Sequence, residues 1–488
     1  MPSLLPEKCY RYQNGLTHIN VTNSEGYSAL FVVNTPVVDN SGVAHAVEHM
    51  VFRSSTAFPH PETLFQLSSL TDAKINASTH ENTTYFHCQS QCTATFTLAI
   101  NYLLNGLFNP TFTPEDLRCE IHDGDKKGVI YQELLGAEQA NQQSTDKGTN
   151  NNQSEFCYGG VSSTIGKLSL QDVTQFHQKF YQASNITLVT ANADVAKIAQ
   201  LIALLPKPLQ GKKEDTTFDA LSNTANSNEN SAKDCKYSQA IKNLVSIYYT
   251  WLQHSHTKKI EDVHKVACTQ ESLVPKITKE CPQKNNQLTP SLVTLSDCFI
   301  RGGITVELPI SEVNNTNQHV KSVSLPGLYT QLYQQAKNQL TCRESNSHHH
   351  AYVHDRRNGL WLLNINTTER IIATIAGYII SAYPQFLATR CEGSCYATQA
   401  LSIEHSTYLA IYTAFDISPI YRDQDIAKSL LALSQDSNFI NLSLALSKVK
   451  YCRIHNVEQH QLMTITTGQL STYLLSISNT SPTCKVVR

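Results

Sequence analysis

The chain lacks an excess of either charge, because its 488 residues carry 38 Lys and Arg against 40 Asp and Glu, a net charge of −2. Proteins that bind nucleic acid or an acidic membrane surface electrostatically usually carry a marked basic excess. Charged residues of both signs are also few, at 16% of the chain. The composition therefore predicts neither a nucleic-acid partner nor a polybasic membrane anchor.

Long apolar runs are missing as well. The most apolar stretch, 371–383, is shorter than the ~20 residues that a membrane span needs, and polar or small residues interrupt it. The first residues show neither the apolar core of a secretion signal nor the Arg-rich pattern of a transit peptide. We predict no membrane span and a cytoplasmic location, with an organelle as the alternative.

The 14 cysteines lack a metal-binding or disulfide pattern. Neither Cys88 with Cys92 nor Cys391 with Cys395 has the Cys-x-x-Cys spacing of zinc ribbons. Disulfide frameworks belong mainly to short secreted domains, and these cysteines are scattered through a long chain. A reducing compartment is the expectation, and the residue type that stands out instead is histidine, with 19 copies.

Strand and helix patterns alternate along the chain, which predicts an α+β fold. The expected strands are 27–34, 76–89, 186–191 and 407–415, and the expected helices are 43–52 (with Asn40 or Ser41 as its cap), 93–108 and 170–181. Residues 128–135 are a helix or the end of a strand, and periodicity does not decide between them. A Gln/Asn/Ser-rich loop is predicted over 137–155.

The composition changes after about 200 residues. Residues 207–240 are polar and rich in Asn and Ser, which is typical of a linker between domains. We predict a first domain at 1–206, a linker at 207–240 and a second domain at 241–488 that repeats the alternation of strands and helices.

The strongest motif is His45-Ala-Val-Glu48-His49. On a helix, His45 and His49 lie four residues apart on one face and can hold one cation together. Glu48 lies on the same side, where it can accept a proton from a zinc-bound water, whose pKa zinc lowers to ~7. The order His-x-x-Glu-His is the inverted zinc-peptidase signature.

A hydrolytic zinc site needs a third protein ligand and an open position. Glu81, Glu120, Glu133 and Glu138 are all candidates downstream of the motif. Spacing alone leaves the choice among them open.

The segment 42–52 resembles the zinc helix of the pitrilysin/insulysin family of zinc metallopeptidases, and further segments resemble its presequence-peptidase branch. Gly128-Val-Ile-Tyr-Gln-Glu133 is similar to the family's segment with the distal ligand. The resemblance implies Glu133 as the third ligand, one Zn²⁺ per chain, and only ordinary surface charges at Glu120 and Glu138. Lys126 stands where many members have a further acid, a departure that the presequence branch shares.

Two other segments carry the resemblance. Asn76-Ala77-Ser78 and the following Thr are similar to an edge strand that pairs with the substrate backbone in this family. The segment from Arg390 to Tyr396 resembles the family's Arg and Tyr that hold substrate and polarise the scissile carbonyl, a role for which both side chains have the required donors.

The resemblance implies two related domains, each a mixed, mostly antiparallel sheet packed with helices, as in pitrilysin and the mitochondrial processing peptidase. It implies a zinc endopeptidase that hydrolyses unfolded peptides in a closed chamber. Because longer members join two such halves, the chain is expected to pair with a second subunit, as in a homodimer. The alternatives are a non-catalytic subunit of a complex and a processing peptidase for one precursor.

Overall fold

A computed structural model describes residues 8–21, 26–143, 156–205, 303–307, 322–326, 358–402, 408–455, 457, 462, 464–480 and 484–487. Described residues up to 64 and from 73 to 205 fall in one compact unit, whereas 65–72 and those from 303 onward fall in a second. The predicted linker 207–240 lies outside the described residues. The domain bounds on either side of it therefore stay a prediction.

A six-stranded sheet organises the first unit, with strand order β1-β2-β6-β3-β5-β4. Its neighbours are antiparallel except for the parallel pair β2–β6. The strands are β1 (Lys8–Arg11), β2 (Thr17–Val21), β3 (Tyr27–Asn34), β4 (Lys74–Thr79), β5 (Thr83–Ser90) and β6 (Ile186–Ala191).

The burial of the strands follows their sequence patterns. β3 has an unbroken buried run from Ser28 to Val33, as expected of a central strand covered on both faces. β5 alternates between buried and half-buried residues, whereas β4, among the described strands, pairs only with β5 and forms one edge of the sheet. The strands predicted at 27–34 and 186–191 are confirmed, and 76–89 contains β4 and β5 joined by a turn.

The described residues between 43 and 203 also form eight helices. They are α1 (Val43–Arg53), α2 (Thr63–Leu70), α3 (Thr93–Phe108), α4 (Pro114–Ile121), α5 (Val129–Gln143), α6 (Ser162–Ile165), α7 (Leu170–Phe180) and α8 (Val195–Ala203). α3 agrees with the prediction. The ambiguous segment 128–135 is helical, and the predicted loop 137–155 is wrong over 137–143, because α5 continues through those residues.

The second unit contains a four-stranded antiparallel sheet of order β10-β11-β9-β12 and a separate pair, β7–β8. The strands are β7 (Gly303–Glu307), β8 (Ser322–Pro326), β9 (Gly359–Asn364), β10 (Ala397–Ser402), β11 (Tyr408–Ala414) and β12 (Cys484–Val487). The helices are α9 (Arg370–Ile380), α10 (Pro384–Cys391), α11 (Arg422–Gln435), α12 (Ser437–His455) and α13 (Thr467–Ser478). β11 is an interior strand, as predicted.

Residues 65–72, which include most of α2, belong to this second unit. The Lys450 ammonium donates to the carbonyls of Ser68 and Ser69 at 2.8 and 2.9 Å, where α2 leaves its last carbonyls without helical partners. Arg453 pairs with Asp72 at 3.2 Å. The sequence did not predict this assignment, since 65–72 lies inside the expected first domain.

Among the described residues, no single helix is long and apolar enough to cross a membrane, although α9 and α10, bent by 48°, would pass the same test as a pair. Ala373, Ile375, Ala376, Ile379 and Ile380 of α9 pack in the apolar core of the second unit. Their hydrophobicity is therefore explained by burial within the protein. The two sheets, each mostly or wholly antiparallel and packed with helices, confirm the predicted α+β class.

Candidate metal centre

Helix α1 presents both motif histidines on one face. The rings of His45 and His49 are 4.8 Å apart between centroids and meet nearly edge to face. The helix begins at Val43, and its N-cap is Gly42, which is in the left-handed region with φ 77° and has no side chain to cap the helix. The N-cap is therefore Gly42 and not the predicted Asn40 or Ser41, although the Ser41 hydroxyl accepts a hydrogen bond from the Val43 amide at 3.3 Å.

Glu133 on α5 faces the two histidines. Its Oε2 lies 3.6 Å from Nε2 of His45 and 3.8 Å from Nε2 of His49. A ligand atom from each of the three side chains lies within 4.8 Å of those of the others. Two imidazole nitrogens and one carboxylate oxygen form a donor set that suits a divalent transition metal.

Gly128 allows α4 and α5 to approach each other closely next to the three ligand candidates. Gly128, just before α5, has φ 134°, and a Cβ there would lie 2.6 Å from the backbone of Ile121 at the end of α4. A side chain at this position would push the two helices apart. The close approach sets Glu133 of α5 beside the face of α4 that carries Glu120.

The ring of His45 is held by the backbone. Its Nδ1 is 3.0 Å from the carbonyl oxygen of Gly159. The turn that carries this carbonyl touches the start of α1, because Gly160, with φ 82°, would clash through a Cβ with the Cα of Gly42 at 2.6 Å. Asn40 also accepts a hydrogen bond from the Cys157 amide at 2.7 Å, so side chain and backbone both fix this turn.

The ring of His49 is held by a buried acid. Its Nδ1 lies 2.9 Å from Oε2 of Glu120, a residue with 0% exposure. The interpretation of Glu120 as an ordinary surface charge is therefore wrong. The helical pattern of α4 carried a signal for this, because Leu117 and Ile121 are buried and Glu120 shares their face.

Arg53, at the last turn of α1, completes this network. Its guanidinium donates to Glu120 Oε1 at 3.0 Å and to Asp116 Oδ1 at 2.9 and 3.0 Å. Asp116 in turn accepts from the hydroxyl of Thr113, the N-cap of α4, at 2.6 Å.

Glu48 is buried beside the metal-ligating candidates. Its Oε2 accepts a short hydrogen bond from the hydroxyl of Thr79, the last residue of β4. Asn76, Ala77 and Ser78 precede Thr79 in the same edge strand. The structure thus brings the end of the predicted substrate strand directly to the predicted general base.

The surroundings of His45 favour a positive charge on its ring. Burial alone would lower the pKa of His45, but the hydrogen bond and charge of Glu133, together with the charge of Glu48, raise that pKa to about 9. Two carboxylates acting on one buried imidazole describe a site of net negative potential, as a cation site requires.

The remaining acids lie elsewhere. Glu138 on α5 accepts from the amide and hydroxyl of Ser162 at 2.8 and 2.7 Å, which anchors the start of α6. The interpretation of Glu138 as an ordinary surface charge is therefore also wrong. Glu81 is exposed in the turn between β4 and β5. Lys126 has φ 66°, and its backbone carbonyl accepts a hydrogen bond from the side-chain amide of Gln132, so this position supports the turn before α5.

Arg390 and Tyr396 lie in the second unit, and each is half-buried. Arg390 is in the last turn of α10, with its guanidinium 5.5 Å from the ring centre of Phe65. Tyr396 immediately precedes β10 and its ring contacts Phe415 edge to face at 5.7 Å. The catalytic and substrate-binding roles inferred for this pair stay a prediction.

A helix with two histidines and a second helix with an acid define the class of this protein: an α+β protein with a candidate divalent-metal centre. Residues 37–147 match the sequence model of the family described as Insulinase (Peptidase family M16). This match and the presequence-protease relatives confirm the resemblance of this part of the chain to the pitrilysin/insulysin peptidases.

Curated relatives include an uncharacterised protein of Saccharomyces cerevisiae, 25% identical over 36% of this chain and 18% of its own length. The mitochondrial presequence protease of Drosophila melanogaster is 28% identical over 36% of this chain and 19% of its own. The matched part thus spans about a fifth of these relatives. Among solved structures, pitrilysin aligns with 97% of this chain and 42% of its own at 14% identity and a TM-score of 0.33.

Proposed function

We propose that this protein is a zinc-dependent endopeptidase that hydrolyses unfolded peptides. The observation that carries the proposal is the convergence of His45, His49 and Glu133 within 4.8 Å, with Glu48 buried next to them. The match of residues 37–147 to a peptidase family model supports the reaction class. The zinc and the residue roles are our inference from the donor set and its surroundings.

One Zn²⁺ per chain suits this group, because two imidazoles and one carboxylate are a known hydrolytic donor set that leaves a fourth position open. Each histidine has its Nδ1 engaged, by Gly159 or by Glu120, so its Nε2 is the atom directed at Glu133. When bound, the ion supplies a Lewis acid that polarises a carbonyl and lowers the pKa of water to ~7.

Glu48 is the proposed general base. It follows His45 by three residues and precedes His49 by one, so its carboxylate lies on the same side of α1 without being part of the ligand group. The Thr79 hydroxyl holds one oxygen of this carboxylate, which leaves the other to accept the proton of the attacking water and pass it to the departing amine.

β4 is the proposed binding strand for the peptide backbone. As an edge strand it pairs with β5 on one side, and its Asn76–Ser78 backbone groups on the other side can bond to an extended peptide. Backbone pairing makes little demand on substrate side chains. Because Thr79 contacts Glu48, a peptide added to β4 runs towards the base.

Arg390 and Tyr396 are the proposed groups that orient and polarise the scissile carbonyl through their donor hydrogens. We further propose that the chain works as a paired subunit, such as a homodimer, which encloses substrate in a chamber. Sedimentation analysis that finds a fully active monomer would exclude this pairing. An organellar location follows the printed names of several relatives, which are mitochondrial or chloroplastic presequence proteases.

The decisive experiment is Glu48→Gln, measured by metal analysis and by cleavage of a quenched fluorescent peptide. We expect Zn²⁺ content to remain near one per chain and kcat to fall by roughly 10²- to 10⁴-fold, the usual contribution of a general base. Glu81→Gln is the matched control, because Glu81 is an exposed acid two residues after Thr79. No Zn²⁺ in the unmutated protein would contradict the proposal, and Zn²⁺ without cleavage would favour a non-catalytic subunit.

A further inference from the structure

Glu120 is a wholly buried acid that the reaction proposed above does not use. It lies between two residues of α1, with one oxygen 2.9 Å from His49 Nδ1 and the other 3.0 Å from the Arg53 guanidinium. A buried carboxylate is destabilising unless charged or polar partners satisfy it, and each oxygen of Glu120 has such a partner.

We propose that Glu120 is the positioning residue of the metal centre, which fixes the tautomer and the ring orientation of His49. This inference rests on the proposed zinc site, because it concerns how one ligand of that site is held. Glu120 supplies a carboxylate to His49 of α1 from a different element, α4.

The carboxylate of Glu120 determines the tautomer of His49. An ionised carboxylate only accepts hydrogen bonds, so the Nδ1 of His49 that faces Glu120 must carry the proton. In the neutral ring the lone pair is then on Nε2, which is the atom 3.8 Å from Glu133. A carboxylate behind a ligating imidazole also increases the basicity of the ligand nitrogen.

Arg53 holds Glu120 in the form and place that this role requires. The guanidinium is itself buried, and it contacts Asp116 as well as Glu120. Its fixed positive charge favours the ionised carboxylate, and its planar shape restricts rotation of that carboxylate. Because Arg53 and His49 are on the same helix, α1 carries both the ligand and the group that fixes its support.

The two ligand histidines are therefore supported differently. His45 bonds to the neutral carbonyl of Gly159, which no side-chain substitution removes, whereas His49 bonds to a charged side chain. Only the second support can be deleted cleanly. This asymmetry makes the contribution of Glu120 measurable at a constant set of ligands.

The test measures Zn²⁺ affinity of the full-length protein by competition with a chromophoric chelator. Glu120→Gln retains a weak acceptor, and we expect its Kd for Zn²⁺ to rise about 10-fold. The charge-compensated double variant Glu120→Leu with Arg53→Met removes the acceptor without leaving a buried unpaired arginine. We expect its Kd to rise up to about 100-fold, the upper end for removal of such a support.

Thermal unfolding without Zn²⁺ and the visible spectrum of the Co²⁺ form separate positioning from stability. Loss of the Arg53–Asp116 pair is expected to lower the melting temperature of the double variant. A positioning role predicts that this variant, at temperatures where it is fully folded, also has weakened Zn²⁺ binding and an altered Co²⁺ spectrum. The control Glu115→Gln removes an exposed acid from the same helix and is expected to bind Zn²⁺ normally.

Two results would overturn the inference. If Glu120 serves only to neutralise Arg53, the double variant will bind Zn²⁺ as tightly as the unmutated protein and give the same Co²⁺ spectrum. Failure of the unmutated protein to bind Zn²⁺ would instead reject the proposed site itself, and the two failures are distinguishable in one titration.

Discussion

Both units bury an arginine next to an acid, close to the residues predicted to function, yet the two pairs act on different parts of the structure. In the first unit, Arg53 and Glu120 contact the side chain of His49. In the second, Arg422 bonds to both oxygens of Asp416 at 2.7 and 2.9 Å, and Asp416 accepts from the Ser418 amide. One pair supports a candidate ligand, and the other supports the backbone.

The second pair lies next to the segment with Arg390 and Tyr396. Ile417 donates to the carbonyl of Ser394 at 3.0 Å, and Arg422 reaches the hydroxyl of Thr389 at 3.4 Å. The pair therefore stabilises the path of the chain through this segment. A buried ion pair can thus serve either the chemistry of a site or the shape of its loop.

The largest expected loss of stability comes from Asp416→Asn in the second unit. It leaves the buried Arg422 with the half-exposed Asp425, and loss of one partner from a buried pair costs about 3–5 kcal/mol. The matched change Asp116→Asn in the first unit leaves Arg53 with Glu120, so we expect only about 1.5–3 kcal/mol, as for hydrogen bonds to a charged group.

Denaturant unfolding followed by the fluorescence of Trp361, in a Trp251→Phe background, reports on the second unit, whose core contains Trp361. Asp416→Asn should shift this transition and leave Zn²⁺ affinity unchanged, whereas Asp116→Asn should leave the Trp361 signal in place. Equal effects of both changes on Zn²⁺ affinity would contradict the division of roles.

A smaller effect is expected from Arg390→Met, which keeps the apolar stem beside Phe65 and removes the donors. If Arg390 polarises the scissile carbonyl, kcat/KM should fall by roughly 10²- to 10³-fold, the usual loss for one donor to a developing oxyanion. Peptide cleavage is the measurement, with Zn²⁺ affinity expected to stay constant. Unchanged cleavage would assign Arg390 to packing on Phe65.

Much of the first unit could be predicted from local pattern. β3, β6 and α3 agree with their expected bounds because continuous apolar runs and helical periodicity both report burial directly. The loop expected over 137–143 was wrong because a helix rich in Gln and Asn resembles a loop in composition. The placement of 65–72 depends on long-range packing, which no local pattern encodes.

The site divides in the same way. His45, His49 and Glu48 were visible because a helix fixes their spacing, and Glu133 was selected by resemblance among several acids. Glu120 was missed because its role depends on how α4 meets α1, a contact between elements far apart in sequence. Neutral supports such as the Gly159 carbonyl carry no side-chain signal at all.

The smallest expected loss of stability concerns two neighbouring glycines, Gly159 and Gly160, in the turn whose carbonyl contacts His45. Gly160→Ala places a Cβ 2.6 Å from the Cα of Gly42 and requires a left-handed alanine, so we expect a loss of stability of about 1–3 kcal/mol. In Gly159→Ala the new Cβ lies 3.8 Å from its nearest atoms, on His45 and Leu134, which is an ordinary contact, so this variant should change little.

Thermal unfolding and Zn²⁺ titration of both glycine variants test this difference. Weaker Zn²⁺ binding in Gly160→Ala with normal binding in Gly159→Ala would show that the turn acts through its carbonyl, because only the first change displaces the backbone. If both variants bind Zn²⁺ normally, His45 does not need this support, and Glu120 would be left as the group that orders the site.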